Sequence, residues 1–153
     1  MEYDDREAQP VFLGEFDHSL DVKGRLILPA GHRDLLGDSG FITKALDPCL
    51  AIYRPEEFEE VSKRMEEYGR RGPTERDIAR LFTSRTRPIT PDKQGRVAIP
   101  APLRNYAGLS RDVMVIGASS RIEIWGAEQW AEVQSRAEEG LRRHDPALDN
   151  VGI

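Results

Sequence analysis

The chain is expected to be mainly β with helices, an α+β fold in which two halves of one polypeptide share a sheet system. Three observations predict it. Residues 21–30, DVKGRLILPA, recur as residues 92–101, DKQGRVAIPA, at an offset of 71. The match runs on: Arg33 pairs with Arg104, Gly37 with Gly108 and, after one inserted residue, Ile52 with Ile124, Tyr53 with Trp125 and Glu56 with Glu128. Each half reads as a few short strands with few large side chains, too little apolar area to fold alone. The halves are therefore expected to pair about a pseudo-two-fold axis, which sets both DxxGR loops on one surface.

The elements follow in order. Residues 11–16 (VFLGEF) read as the first strand, and residues 84–90 (SRTRPIT) as its more polar counterpart, on which Arg85 and Arg87 would share a face. The loop comes next, with Gly24 or Gly95 able to supply a positive φ. The aliphatic strands RLIL and RVAI follow. Pro29 and Pro100 suit the first turn of a short helix, because proline has no N–H to lose there. Gly37 and Gly108 stand where that helix should stop. Two more strands complete each half: GFITKAL and CLAIYR, joined at Asp47-Pro48, and DVMVIGA and RIEIWG, joined at Ser119-Ser120. Long helices over residues 55–68 and 127–144 close the halves. The second carries an apolar stripe, Trp130, Val133, Ala137 and Leu141. Gly72-Pro73 breaks the first long helix, and a short amphipathic helix over residues 76–82 leads into the second half. The tail DPALDNVGI and the first ten residues read as loosely held.

Composition narrows the function classes. With 39% hydrophobic and 32% charged residues the chain is globular, and at 7% aromatic its core must rest on Leu, Ile, Val and Ala. Cys49 is the only cysteine, which excludes an intramolecular disulfide and suits a reducing, cytoplasmic setting. No apolar run approaches the roughly 20 residues that span a bilayer, so no membrane partner is expected. The acidic start, MEYDDREAQP, is unlike a secretory signal. A net charge of −5 argues against nucleic acid only if charge is evenly spread. It is not: residues 55–68 carry six Glu against Lys63 and Arg64. Residues 82–105 set Arg85, Arg87, Lys93, Arg96 and Arg104 against Asp92 alone, a local net of +4.

Catalytic motifs are missing. Two Asp residues brought together by a pseudo-dyad suggest an aspartic-protease pair. Their neighbours, Val22-Lys23 and Lys93-Gln94, lack the hydroxyl such a pair needs, and an adjacent cation depresses a carboxyl pKa. His18, His32 and His144 form no i,i+4 pair and read as solvated or half-buried; Cys49 reads as a small core residue. GxGxxG, GxxxxGK[ST] and GxSxG are all absent. The chain is thus expected to have no catalytic residues, metal ligands, cofactor or small-molecule substrate. What the loops offer is cationic display, from Lys23 and Arg25 and from Lys93 and Arg96. A guanidinium clasps a phosphate, or the O6/N7 edge of guanine, with two parallel hydrogen bonds. Asp21 and Asp92, four residues earlier, can cap the turn or brace the arginine. Two readings stay open here: Asp–Arg pairs that merely hold the turns, which contribute little at a surface, and nucleic-acid binding, to which Arg85 and Arg87 would add. Arg33 and Arg104 read as structural, for example as ion pairs to a neighbouring element.

FLGEFDHSLDVKGRLILPAGHRDLL, repeated as DKQGRVAIPAPLRNYAGL, resembles the MraZ family of bacterial proteins, tandem SpoVT/AbrB-like domains with a DxxxR motif in each copy. The resemblance covers residues 12–144. It implies an N-terminal extension (1–11, flexible), a first repeat (12–70), a linker with a short helix (71–81), a second repeat (82–144) and a C-terminal tail (145–153). It implies a swapped-hairpin-type β-barrel, a ring-shaped homo-oligomer, and a nucleoid-associated transcriptional regulator. The partner would be double-stranded DNA bearing short direct repeats upstream of the division and cell-wall gene cluster. Carried over by position, Arg25 and Arg96 face DNA, with Asp21 and Asp92 orienting them. Lys23, Lys93, Arg85 and Arg87 would be auxiliary phosphate contacts on charge grounds. The acidic extension should not touch DNA. The competing expectation is an oligomeric scaffold whose DxxxR pairs are structural salt bridges.

Overall fold

The computed structural model describes residues 11–153. The expected flexible extension therefore lies outside the described residues, Val11 excepted. In chain order the first half contributes β1 (Glu15–Ser19), β2 (Arg25–Ile27), α1 (Ala30–Leu36), β3 (Gly40–Lys44), β4 (Leu50–Tyr53) and α2 (Pro55–Gly69). After α3 (Pro73–Arg85) the second half repeats the series as β5 (Arg87–Ile89), β6 (Arg96–Ala98), α4 (Ala101–Tyr106), β7 (Asp112–Gly117), β8 (Ile122–Gly126) and α5 (Ala127–Arg143). A 3₁₀ helix, Pro146–Asn150, follows.

The expected pseudo-two-fold is visible in the strand order. Six strands form one antiparallel sheet, β1-β7-β8-β4-β3-β5, and reading it from either end meets equivalent strands. The first strand of each half crosses to the other: β1 lies on β7, with Phe16 opposite Val115, and β5 lies on β3, with Phe41 opposite Pro88. The axis passes between β4 and β8, where Leu50 faces Ile124. The strand exchange makes the fold α+β with an antiparallel sheet, but the closed swapped-hairpin barrel implied by the resemblance is not seen. β1 and β5 are the edges of an open sheet, and β2 and β6 pair separately as a two-stranded ribbon.

One core serves both halves. Ile42, Leu50, Ile52, Val113, Val115, Ile122 and Ile124 from the sheet meet Leu26 and Val97 from the ribbon and Leu36 and Leu103 from the short helices. Leu, Ile and Val dominate it, as the low aromatic content requires. Aromatic packing lies beneath the long helices: Phe58 of α2 stacks between Phe41 and Phe82, at 4.4 and 6.2 Å, and Trp130 of α5 tilts against Trp125 at 5.8 Å. Cys49 is fully buried at the head of β4.

Three expectations need correction. The first strand does not run over residues 11–16. Gly14, at φ +96°, breaks the extended run, leaving Phe12 in a single bridge to Ser119 before β1 starts at Glu15. The predicted helix over residues 76–82 extends to Pro73–Arg85, so Arg85 ends a helix while Arg87 begins a strand, and the two do not share a strand face. His32, expected to be solvated or half-buried, is 3% exposed. Its Nε2 bonds the Leu13 carbonyl at 2.9 Å, and Phe12 and Phe16 pack edge-on against its ring.

Candidate nucleic-acid interface

The site is built on the ribbon. In β2 and β6 side chains alternate between faces. Leu26 and Val97, opposite one another, turn into the core at 0% and 1% exposure. Arg25, Ile27, Arg96 and Ala98 occupy the outer face. The register sets Arg25 opposite Ala98 and Ile27 opposite Arg96. The two arginines thus stand at diagonal corners, with Cα atoms roughly 8 Å apart by strand geometry.

Each arginine is aimed by its own loop. Asp21 Oδ1 accepts the backbone N–H groups of Lys23 and Arg25, both at 2.9 Å, while Oδ2 pairs with Arg25 Nε at 2.7 Å. Asp92 repeats this with the backbone of Gln94 and Arg96 and with Arg96 Nε, at 2.9, 2.9 and 2.7 Å. The backbone N–H of each arginine, then its side chain and the next amide, hold both carboxyls below their usual 3.8. Nε is spent on the aspartate, and the two Nη groups of each guanidinium have no partner among the described residues. The two Nη groups of a guanidinium are the end that can clasp a phosphate or a guanine edge with parallel hydrogen bonds.

The loops are also tied across the pseudo-dyad. Gly24 carbonyl accepts Ile99 N–H and Gly95 carbonyl accepts Leu28 N–H, each at 3.0 Å. Arg33 donates to the Lys93 carbonyl at 3.0 Å, and Arg104, donating to Ile99 carbonyl at 2.6 Å, lies against Gly24. Both glycines have positive φ, +76° and +79°. Arg33 and Arg104 are structural, as expected, but through backbone carbonyls rather than ion pairs.

The structure brings together Arg25, Arg96, Asp21, Asp92, Lys23 and Lys93, the lysine side chains being exposed and without an ion-pair partner among the described residues. It does not bring in Arg85 and Arg87 in the same way. Arg85 lies over the Tyr106 ring at 3.9 Å, and Arg87 donates to the Ser84 and Thr86 carbonyls at 2.7 and 3.0 Å. Ile27 and Ala98 share the outer face with Arg25 and Arg96, as their two-residue spacing from those arginines signals. Among the described residues no three His, Cys, Asp or Glu side chains gather where they could hold a metal, and no helix is long and apolar enough to cross a membrane.

Comparison with known proteins places the chain in a family. The family model of the MraZ protein, described as antitoxin-like, matches twice, over residues 11–81 and 82–150. The transcriptional regulator MraZ of Symbiobacterium thermophilum is 44% identical over 127 residues, 83% of this chain and 92% of its own. That of Desulfitobacterium hafniense is 39% identical over 143 residues, 94% of this chain and all of its own. The Micrococcus luteus protein of the same name is 46% identical over 120 residues, 78% of this chain and 84% of its own. These relatives are named as regulators, not enzymes.

Proposed function

The chain belongs to the MraZ family, and from that premise we propose that it is a DNA-binding transcriptional regulator that grips duplex DNA through its paired DxxxR loops. The observation that carries this reading is the pair of aspartate-held arginines at diagonal corners of one exposed ribbon face. B-DNA's major groove, about 12 Å wide, admits a two-stranded β-ribbon. On it Arg25 and Arg96 contact guanine edges or phosphates, while Lys23 and Lys93 at the loop tips neutralise phosphates. Arg87 and Arg85 add charge from beside the ribbon.

The finer reading is a ring-shaped homo-oligomer in the cytoplasm, associated with the nucleoid, that binds short direct repeats upstream of the division and cell-wall gene cluster. Several ribbons on one ring would engage successive repeats, so modest contacts per subunit sum to high avidity. A net charge of −5 per subunit is compatible with this when the six Glu of α2 face away from DNA. Footprinting over the DNA upstream of this chain's own gene tests the proposal. Protection of tandem short repeats is expected, weakening steeply with salt. No protection at any ionic strength would contradict it. The scaffold alternative, with DxxxR pairs joining subunits, is supported if Arg25→Ala/Arg96→Ala breaks the oligomer.

A further inference from the structure

We propose, on the DNA-binding reading above, that Ile27 determines base specificity by meeting the C5 methyl group of a thymine in the major groove. Ile27 is 53% exposed, directly opposite Arg96 and two residues from Arg25 on the same outer face. It is an apolar spot next to Arg25 along its strand and opposite Arg96 across the ribbon. The core does not need it: Leu26 and Leu28 on the other face fill that role. Nor does strand formation need it, because the equivalent position in β6 is Ala98, and that strand pairs in the same register.

A ribbon that lays Arg25 and Arg96 on phosphates or guanines carries Ile27 down to the base edges between them. The thymine methyl is the apolar feature exposed there, and cytosine lacks it. Ala98 is too short to reach as far. The pseudo-two-fold symmetry of the ribbon is therefore broken at the base edges, which gives it a direction along the duplex. Direct rather than inverted repeats are what such a reader would select.

Uracil in place of thymine removes only the methyl group. The full chain is titrated against the footprinted duplex from upstream of its own gene, synthesised with thymine or with uracil throughout. Native protein should bind the uracil duplex about fourfold more weakly for each thymine methyl that Ile27 meets, the worth of one buried methylene-sized group. Ile27→Ala should bind both duplexes equally, whereas Ile27→Val, which keeps both γ-carbons, should retain part of the uracil penalty. Equal binding of both duplexes by native protein overturns the proposal, as does a uracil penalty that persists in Ile27→Ala. A change of oligomer size in Ile27→Ala together with equal binding by native protein assigns the residue to a contact between copies and also overturns it. Failure to bind either duplex removes the DNA-binding reading itself, a different result from binding that ignores the methyl.

Discussion

Arg33, on the short helix of the first half, donates from Nη2 to the backbone carbonyl of Lys93 in the loop of the second half, at 3.0 Å. Gly95 makes room for it. A Cβ at Gly95 would lie 2.9 Å from both Cδ and Nη1 of Arg33, and its φ of +79° already disfavours any side chain. Gly95→Ala should therefore lower stability by about 1–3 kcal/mol, the left-handed conformation alone accounting for roughly 1–2. A thermal-melt double-mutant cycle with Arg33→Ala should recover the steric part but not the backbone part. Strict additivity of the two changes would show that the close approach is not felt.

The two aspartates set an acid limit on the loops. Their folded pKa values lie below the reference of 3.8. A depressed carboxylate pKa contributes stability that is fully present above the unfolded value and is lost as pH falls through the folded one. The loops should thus hold at pH 5 and open only below 3.8. The Arg25 and Arg96 backbone amides, bonded to Oδ1, report this by NMR. A midpoint above 3.8 would show that these bonds do not favour the ionised form.

Cys49 behaves in the opposite sense. Burial, with Glu123 adding, pushes its thiol up from 9.0 to about 12, so the thiolate fraction is about a thousandfold lower than in a free cysteine. Iodoacetamide at pH 8 should label native protein only as fast as the fold opens, and unfolded protein promptly. Because the folded pKa is raised, this group's stabilising effect is complete below pH 9 and is lost as pH rises toward 12. Rapid native labelling would place the thiol at the surface.

The loops should be unequal in their pull on phosphate. Residues 82–105 carry a local net of +4, whereas around the first loop Asp17, Asp21 and Asp34 balance Lys23, Arg25 and Arg33. Lys93→Ala with Arg96→Ala should therefore reduce the salt dependence of non-specific DNA binding more than Arg25→Ala does, by roughly one unit of slope for each phosphate no longer neutralised. A larger reduction from Arg25→Ala alone would reverse the assignment.

Much of this was readable in the residues because repetition encodes symmetry. The offset of 71 placed both loops, and the turn glycines, strand aliphatics and helix-starting prolines are local signals. The junction at Arg85 was not readable. Two arginines two residues apart fit a strand, but Phe82 anchors the helix by stacking on Phe58, and Thr86 Oγ1 closes its end by donating to the Phe82 carbonyl at 2.9 Å. The stacking of Phe82 on Phe58, and the 3.0 Å bond of Thr86 Oγ1 to Thr43 Oγ1, are made across the fold and leave no local signal. His32 had a signal that went unused, since it lies four residues before buried Leu36 and so on the same helix face. Whether the sheet would close depended on edge pairings of β1 and β5, which no local pattern specifies.

The central claim is that Asp21 and Asp92 aim Arg25 and Arg96 at DNA rather than at another subunit. The most direct measurement compares native protein with Arg25→Ala/Arg96→Ala, reading affinity for the footprinted duplex alongside oligomer size by analytical ultracentrifugation. Affinity should fall by at least about thirtyfold, from two arginines each worth about 1–3 kcal/mol per subunit, with oligomer size unchanged. Retained affinity, or an oligomer that falls apart when the arginines are removed, would contradict the claim.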